Sequence, residues 1–201
     1  MKDVGKIREK ALKENQQRVD RLLKRAQQIC HQNPQKGVLF AELAWHIAKK
    51  HELELKSANI AKCMGYCYFK LTQYQKATKQ YLFAVKIFIK HKNFQTAAQI
   101  YTNLSTIYLT DFEDSKALKS ALTALTLFKK IKDQKGMSNA HLNLGVIYKN
   151  QGKFEEGLKH TQKARDLKKL LKEKKGIEAC QENIQNNKEL QKVYKAKKGS
   201  T

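Results

Sequence analysis

Proline occurs once and glycine nine times in 201 residues. That is too few of either to turn the many short strands of a sandwich or barrel. Cysteine is scarce too: Cys30, Cys63, Cys67 and Cys180 make no disulfide framework and fit a reducing compartment. No run approaches the roughly 18 apolar residues of a membrane-spanning helix. The start, Met1-Lys2-Asp3-Val4-Gly5-Lys6, leads into charged sequence rather than the apolar core of a secretory signal. The expectation is a reduced, cytoplasmic protein. Acidic residues are also few. Only 18 Asp and Glu stand against 41 Lys and Arg, a net charge of +23. This balance favours acidic peptides, nucleic acid or anionic surfaces as partners, unless the lysines only solvate the outer faces of helices.

Signatures of catalysis are missing: there is no Gly-rich phosphate loop, nucleophile elbow or HExxH. Glu155-Glu156 reads as a helix-start pair at a positive dipole end. Cys63 and Cys67 lie four apart, a spacing that can place two thiolates on one metal. Nothing completes that site, because His46, His51, His91, His141 and His160 are scattered. A chain that is not an enzyme, with neither metal nor cofactor, is expected.

What the sequence does have is a period of forty. Leu144-Gly145-Val146-Ile147-Tyr148 follows Leu104-Ser105-Thr106-Ile107-Tyr108, which follows Met64-Gly65-Tyr66-Cys67-Tyr68. Further columns run in phase: Ala61, Tyr101 and His141; Ala77, Ala117 and Gly157; Tyr81, Ala121 and Thr161. The series Ala44, Ala84, Ala124 and Ala164 extends the period back toward the N-terminus, as do Ile47, Ile87, Leu127 and Leu167. A fixed period of this length marks a repeat architecture. Within each copy the apolar residues recur at helical spacing. Gly or Ser in the first helix and Ala in the second allow two antiparallel helices to approach to about 8 Å. One hairpin cannot bury its apolar face alone, so neighbours must stack.

The predicted organisation is a basic N-terminal extension or helix (1–17) and a degenerate hairpin (18–54) carrying Val19, Leu22, Leu23, Ala26 and Ile29. Asn33-Pro34 breaks that hairpin. Regular hairpins are expected at 58–92, 98–132 and 138–172, a capping helix at 177–196, and a tail at 197–201. Trp45 is expected between the first and second hairpins. Short polar turns are expected at Leu71-Thr72-Gln73, Thr110-Asp111 and Asn150-Gln151-Gly152.

These columns resemble the tetratricopeptide repeat (TPR), whose pattern is Trp-x2-Leu-Gly-x2-Tyr, then Ala, an aromatic and Pro. Residues 58 to 172 match strongly and 18 to 196 loosely. Ala61, Tyr101 and His141 occupy the Trp position, the closing proline is absent, and the period is 40 rather than 34. The longer class is similar to repeats of kinesin light chains, bacterial peptide-sensing regulators and bacterial sensor kinases. Ala140-His141-Leu142-Asn143-Leu144-Gly145 and Phe154-Glu155-Glu156-Gly157-Leu158 look most like the bacterial group. The resemblance implies an all-α, right-handed superhelical solenoid of about four antiparallel hairpins plus a capping helix. It further implies a non-catalytic protein-interaction scaffold, in bacterial regulation or assembly.

In such arrays the first helix of each hairpin lines the concave groove. Positions there that packing does not consume are Asn59, Tyr66 and Phe69, with Cys63; then Gln99, Asn103 and Thr106, with Thr110; then Asn139, Asn143, Val146 and Asn150; and Asn183 on the capping helix. Residues four apart share a helix face, so amide pairs would aim together at the backbone of a bound segment, since an amide both donates and accepts. Carboxylate-clamp TPRs place Lys and Arg at these points, so that mode is not expected. The implied partner is a peptide or protein segment, with an acidic one favoured by charge. A homo-oligomer through the terminal hairpins stays open. The alternative is an RNA- or polyanion-binding repeat acting through Lys168, Lys169, Lys172 and Lys175. Only Arg165 and Tyr194 supply the arginine and aromatic residues that nucleic-acid binding would add, so base-specific recognition is not indicated.

Overall fold

The computed structural model describes residues 2–198. The described residues form α1 (Lys2–Ile29), α2 (Pro34–Lys50), α3 (Glu54–Lys70), α4 (Tyr74–Lys90), α5 (Phe94–Thr110), α6 (Asp114–Lys130), α7 (Gln134–Asn150), α8 (Phe154–Leu170) and α9 (Lys174–Lys198). No strand occurs among them. The fold is an all-α helical-repeat solenoid. The α1 helix runs through the boundary expected at residue 17, and the regular hairpins start four residues earlier than the sequence columns suggested. Of the expected tail, Lys197 and Lys198 still belong to α9, and 199–201 lie outside the described residues.

The period has a simple origin. Helices α2 to α8 each have 17 residues and are joined by three-residue turns. Every turn repeats one device. The residues at 52, 72, 92, 112, 132, 152 and 172 all have positive φ, between 53° and 74°. In the turn after α3, Thr72 N–H donates to the Phe69 carbonyl (3.0 Å) and Gln73 N–H to the Tyr68 carbonyl (2.9 Å). This is the Schellman pattern, which satisfies carbonyls that the helix end leaves unpaired. The same pair of bonds closes the other six turns. At the N-termini, Asn33 caps α2 by accepting from Lys36 N–H (2.9 Å) and Asp133 caps α7 by accepting from Gly136 N–H (2.9 Å).

The chain divides into two units, Met1–Asn93 and Phe94–Thr201. The first stacks the hairpins α1/α2 and α3/α4 around Val19, Ala26, Val38, Ala41, Ala44, Ile60 and Met64. Trp45 of α2 meets Phe83 of α4 edge-on at 5.1 Å, so it does join the two hairpins. The second unit stacks α5/α6 and α7/α8 around Ala98, Ala121, Leu125, Phe128, Leu144 and Ile147. There α9 closes on α8, with Cys180, Ile184 and Asn187 buried and Leu190, Val193 and Tyr194 exposed.

Small residues sit at the hairpin crossings, as expected. A Cβ on Gly65 would lie 2.8 Å from the Tyr81 ring. Gly145 and Gly157 face each other across α7 and α8, and a Cβ on Gly157 would lie 3.0 Å from the Gly145 carbonyl. At the Gly145–Gly157 crossing backbone meets backbone, and at Gly65 the absent side chain leaves room for the Tyr81 ring.

Candidate functional site

In the second unit the first helices of successive hairpins, α5 and α7, pack side by side, and α9 adjoins α7. Their neighbouring faces carry the predicted row: Gln99, Asn103 and Thr106, then Asn139, Asn143, Val146 and Asn150, then Asn183. Gln99, Asn139 and Asn150 are exposed, and the others are half-buried. The junction between α5 and α7 is itself polar. Asn143 Nδ2 donates to Ser105 Oγ (3.0 Å) and lies 3.4 Å from Thr106 Oγ1. Asn143 is therefore partly spent on holding α7 against α5. Asn183 Nδ2 donates to the Ala179 carbonyl of its own helix (2.9 Å), and Thr106 Oγ1 to the Thr102 carbonyl (3.3 Å).

In the first unit, Asn59 Nδ2 turns back to the Leu55 carbonyl (3.0 Å). The Tyr66 hydroxyl of α3 bonds Nδ1 of His31, in the turn after α1, at 3.0 Å, and the Phe69 ring packs on Tyr74 at 6.1 Å. Cys63 is buried rather than presented. These positions contribute more to packing than to a free surface. Of the predicted row, the exposed amides Gln99, Asn139 and Asn150 all lie in the second unit.

Lys168 must be removed from the polyanion set. It is only 6% exposed. Its Nζ donates to Asn139 Oδ1 (3.2 Å) and Glu173 Oε2 (3.1 Å), and its stem passes within 2.6 Å of where a Gly176 Cβ would stand. It ties α7, α8 and the turn into α9 together. The hydrogen bond from Lys168 also holds the Glu173 carboxyl below the usual range. Lys169, Lys172 and Lys175 are exposed. Lys172, Lys174, Lys175 and Lys135 surround Glu173 at the α8–α9 turn.

Two clusters went unrecognised in the sequence. His141 of α7 and His160 of α8 place their Nδ1 atoms 3.0 Å apart, with Tyr148 stacked on His160 at 5.3 Å. Burial, His160 and the ammonium groups of Lys163 and Lys129 push His141 down to about 4. Burial and the same two lysines lower His160. In the first unit Cys30 joins Cys63 and Cys67. Burial and the neighbouring Cys67 raise the Cys30 thiol to about 11. A hydrogen bond with Cys63, then burial, raises Cys67. Thiols that retain their protons are poor nucleophiles and poor metal ligands. Among the described residues no group of three or more His, Cys, Asp and Glu could hold a metal ion, and no helix is long and apolar enough to cross a membrane.

Neither a protein-family model nor a curated protein sequence gives a significant match. Solved structures do match. BtubC (BKLC) from P. vanneervenii superposes with a TM-score of 0.69 at 22% identity, over 85% of this chain and 74% of that one. Aspartyl phosphate phosphatase F from Bacillus subtilis gives 0.78 at 15% identity, over 97% of this chain and 52% of its own length. TPR-like repeats of a kinesin light chain from Podosopora anserina give 0.67 at 13%, over 92% and 97%. This chain spans about half the length of the phosphatase. Seven successive helices of 17 residues, seven turns of one conformation and these neighbours lead to one conclusion: the chain has the fold of a TPR-type helical repeat.

Proposed function

We propose that the protein is a non-catalytic scaffold that holds a peptide or partner-protein segment along the amide-bearing faces of α5, α7 and α9, in a cytoplasmic regulatory or assembly role. The observation that supports this reading is the α5–α7 junction. Asn143 reaches across it to Ser105, so the amides of the two helices stand on one continuous surface rather than on separate ones. Gln99 with Asn103, and Asn139 with Asn143, are pairs four apart on their helices. Each pair offers donors and acceptors to a backbone irrespective of its side chains. The cationic surface selects acidic segments and speeds their arrival.

The test is an affinity capture with wild type, with a Gln99→Ala/Asn103→Ala/Asn139→Ala variant, and with a Lys169→Glu/Lys172→Glu/Lys175→Glu variant, each at low and high salt. Partners should be lost from the amide variant and persist on the charge variant. Identical partners on all three would sink the groove reading. A second reading, polyanion binding, draws on the four lysines around Glu173. It expects the charge variant to lose affinity for a labelled oligonucleotide, with a steep salt dependence.

A further inference from the structure

The seven left-handed turn positions can be compared directly, because they differ only in side chain. Six carry Glu52, Thr72, Lys92, Lys132, Gly152 and Lys172, which are polar or glycine. The seventh is Phe112, with φ 58° and 91% of its surface exposed. A bulky residue is disfavoured in this backbone region, and leaving an aromatic in water forgoes its burial energy. Phe112 therefore serves neither the turn nor the core.

Phe112 borders an open cleft of about 570 Å³ whose other apolar walls are Leu109, Phe154, Leu190, Val193 and Tyr194. The cleft lies at the C-terminal ends of α5 and α7, against the last turns of α9. The ring of Phe154 packs on Tyr194 at 5.5 Å, which fixes one wall. Leu190, Val193 and Tyr194 stay 43%, 54% and 46% exposed. The rim is asymmetric. Lys149 and Lys197 line the α7 and α9 side, and Asp114 the other. Residues 188–198 contain five lysines and one glutamate, and Gln185 already engages that glutamate, Glu189 (2.6 Å).

From this arrangement we infer that the cleft is a second docking point, taking a bulky apolar side chain of a partner segment whose neighbouring carboxylates lie over the α9 lysines. Charge complementarity decides the occupant. A second copy of the chain would bring two lysine rims together. Nucleic acid, with a phosphate at every nucleotide, would set some of them beside Asp114, and the two packed rings leave few open faces for bases. An acidic, apolar peptide can set its few carboxylates on the Lys149 and Lys197 side alone, away from Asp114. The inference rests on the peptide-scaffold reading and adds to it the chemistry of the segment.

The probe is a library of random 12-residue peptides displayed on phage and selected against the full chain. The recovered peptides are then synthesised with a fluorescent label. The expected result is enrichment of a Leu, Phe or Trp close to two or more acidic residues. Binding should fall at least ten-fold in Phe112→Ser and in Val193→Asp, and several-fold in Lys197→Glu. Phe112→Gly, which relieves the turn, keeps the test independent of folding. If the amide variant loses the peptides and the Phe112 variants do not, the cleft inference fails while the scaffold reading stands. If the Phe112 variants lose them and the amide variant does not, the cleft alone docks. If neither set has an effect, both fail. A labelled oligonucleotide bound in a Phe112-dependent way, or Phe112-dependent dimers in sedimentation, would also overturn the inference.

Discussion

Replacing Lys168 by phenylalanine should make the protein more stable, although it removes two hydrogen bonds and an ion pair. Lys168 stands in the column that holds Phe88 and Phe128, exposed to 0% and 3%. In those two repeats the slot takes a ring, while Ala48 fills the corresponding place in the first hairpin. Phe128 packs against Gly136 as the stem of Lys168 packs against Gly176. Burying an ammonium group costs several kcal/mol, and exchanging a buried pair for well-packed apolar atoms commonly gains about 1–4 kcal/mol. Here the stranded partners are mild. Glu173 keeps Lys135 at 3.5 Å, and Asn139 is exposed. The expectation is about 1–2 kcal/mol of added stability for Lys168→Phe, worth roughly 2–8 °C in melting temperature for a chain of this size. Lys168→Ala should instead lose about 2–3 kcal/mol, since it empties the slot and breaks the pair. Urea unfolding followed by circular dichroism at 222 nm measures both. If Lys168→Phe proves as damaging as Lys168→Ala, the column argument is wrong and the ion pair governs the α8–α9 junction. Neither variant should alter salt-dependent oligonucleotide binding, which separates Lys168 from the exposed Lys169, Lys172 and Lys175.

Three further outcomes are expected. Gly145→Ala drives its methyl into Thr161 Oγ1, with the Gly157 carbonyl 3.1 Å away; overpacking of about 1–3 kcal/mol should outweigh a helix-propensity gain near 1 kcal/mol. In a Thr161→Ala background, which copies the Ser105/Ala121 pair of the preceding repeat, the same change should become neutral or stabilising, and an additive double-mutant cycle would refute the close crossing. Phe112→Gly should raise stability by about 1 kcal/mol in urea titrations, because glycine adopts the left-handed turn without strain. The folded-state pKa of His141 is pushed below its unfolded value, to about 4, so its contribution is present above pH 6.5 and is lost as pH falls toward 4. The loss is at most about 1.4 kcal/mol per pH unit for one proton. His141→Tyr, copying Tyr101, should flatten melting curves taken between pH 7 and 4.5, and an unchanged slope would exclude His141 as the source.

The repeat was legible because packing is paid for in side-chain volume, and volume is written in the sequence. The sequence places Gly65, Ser105 and Gly145 at crossings and Trp45 between two hairpins. The turns expected at 71–73, 110–111 and 150–152 fall on or within a residue of those observed, but their left-handed conformation was not legible. Six of seven left-handed positions lack glycine, so the usual C-cap signal appears only at Gly152. The 20-residue spacing of those turns, half the sequence period, was therefore missed, and Phe112 with it. The amide row was proposed from position, and position does not reveal internal use. The bonds of Asn143 to Ser105 and Asn59 to Leu55 depend on rotamers. Lys168 misled for a related reason. A lysine in a basic run reads as solvated, and only alignment on Phe88 and Phe128 indicates that it is buried.

The departures from the repeat are not spread evenly. Lys168 replaces a column phenylalanine. Asn187, 1% exposed, stands where Cys67, Ile107 and Ile147 stand, and its Oδ1 has no hydrogen-bond partner. Both lie where α9 docks. A buried polar group left unsatisfied costs about 1–3 kcal/mol, and an apolar residue in either place would bind the helix more firmly. The docking of α9 thus combines the buried Cys180 and Ile184 with a buried amide oxygen that finds no partner, where the hairpins before it have Cys67, Ile107 and Ile147 in the same column. Helices held in this way open more readily than the core around them. This helix is also the one that carries Leu190, Val193 and the lysine-rich rim of the cleft. A partner that fills the cleft would press α9 onto α7 and α8 and gain affinity from order that the free protein leaves incomplete.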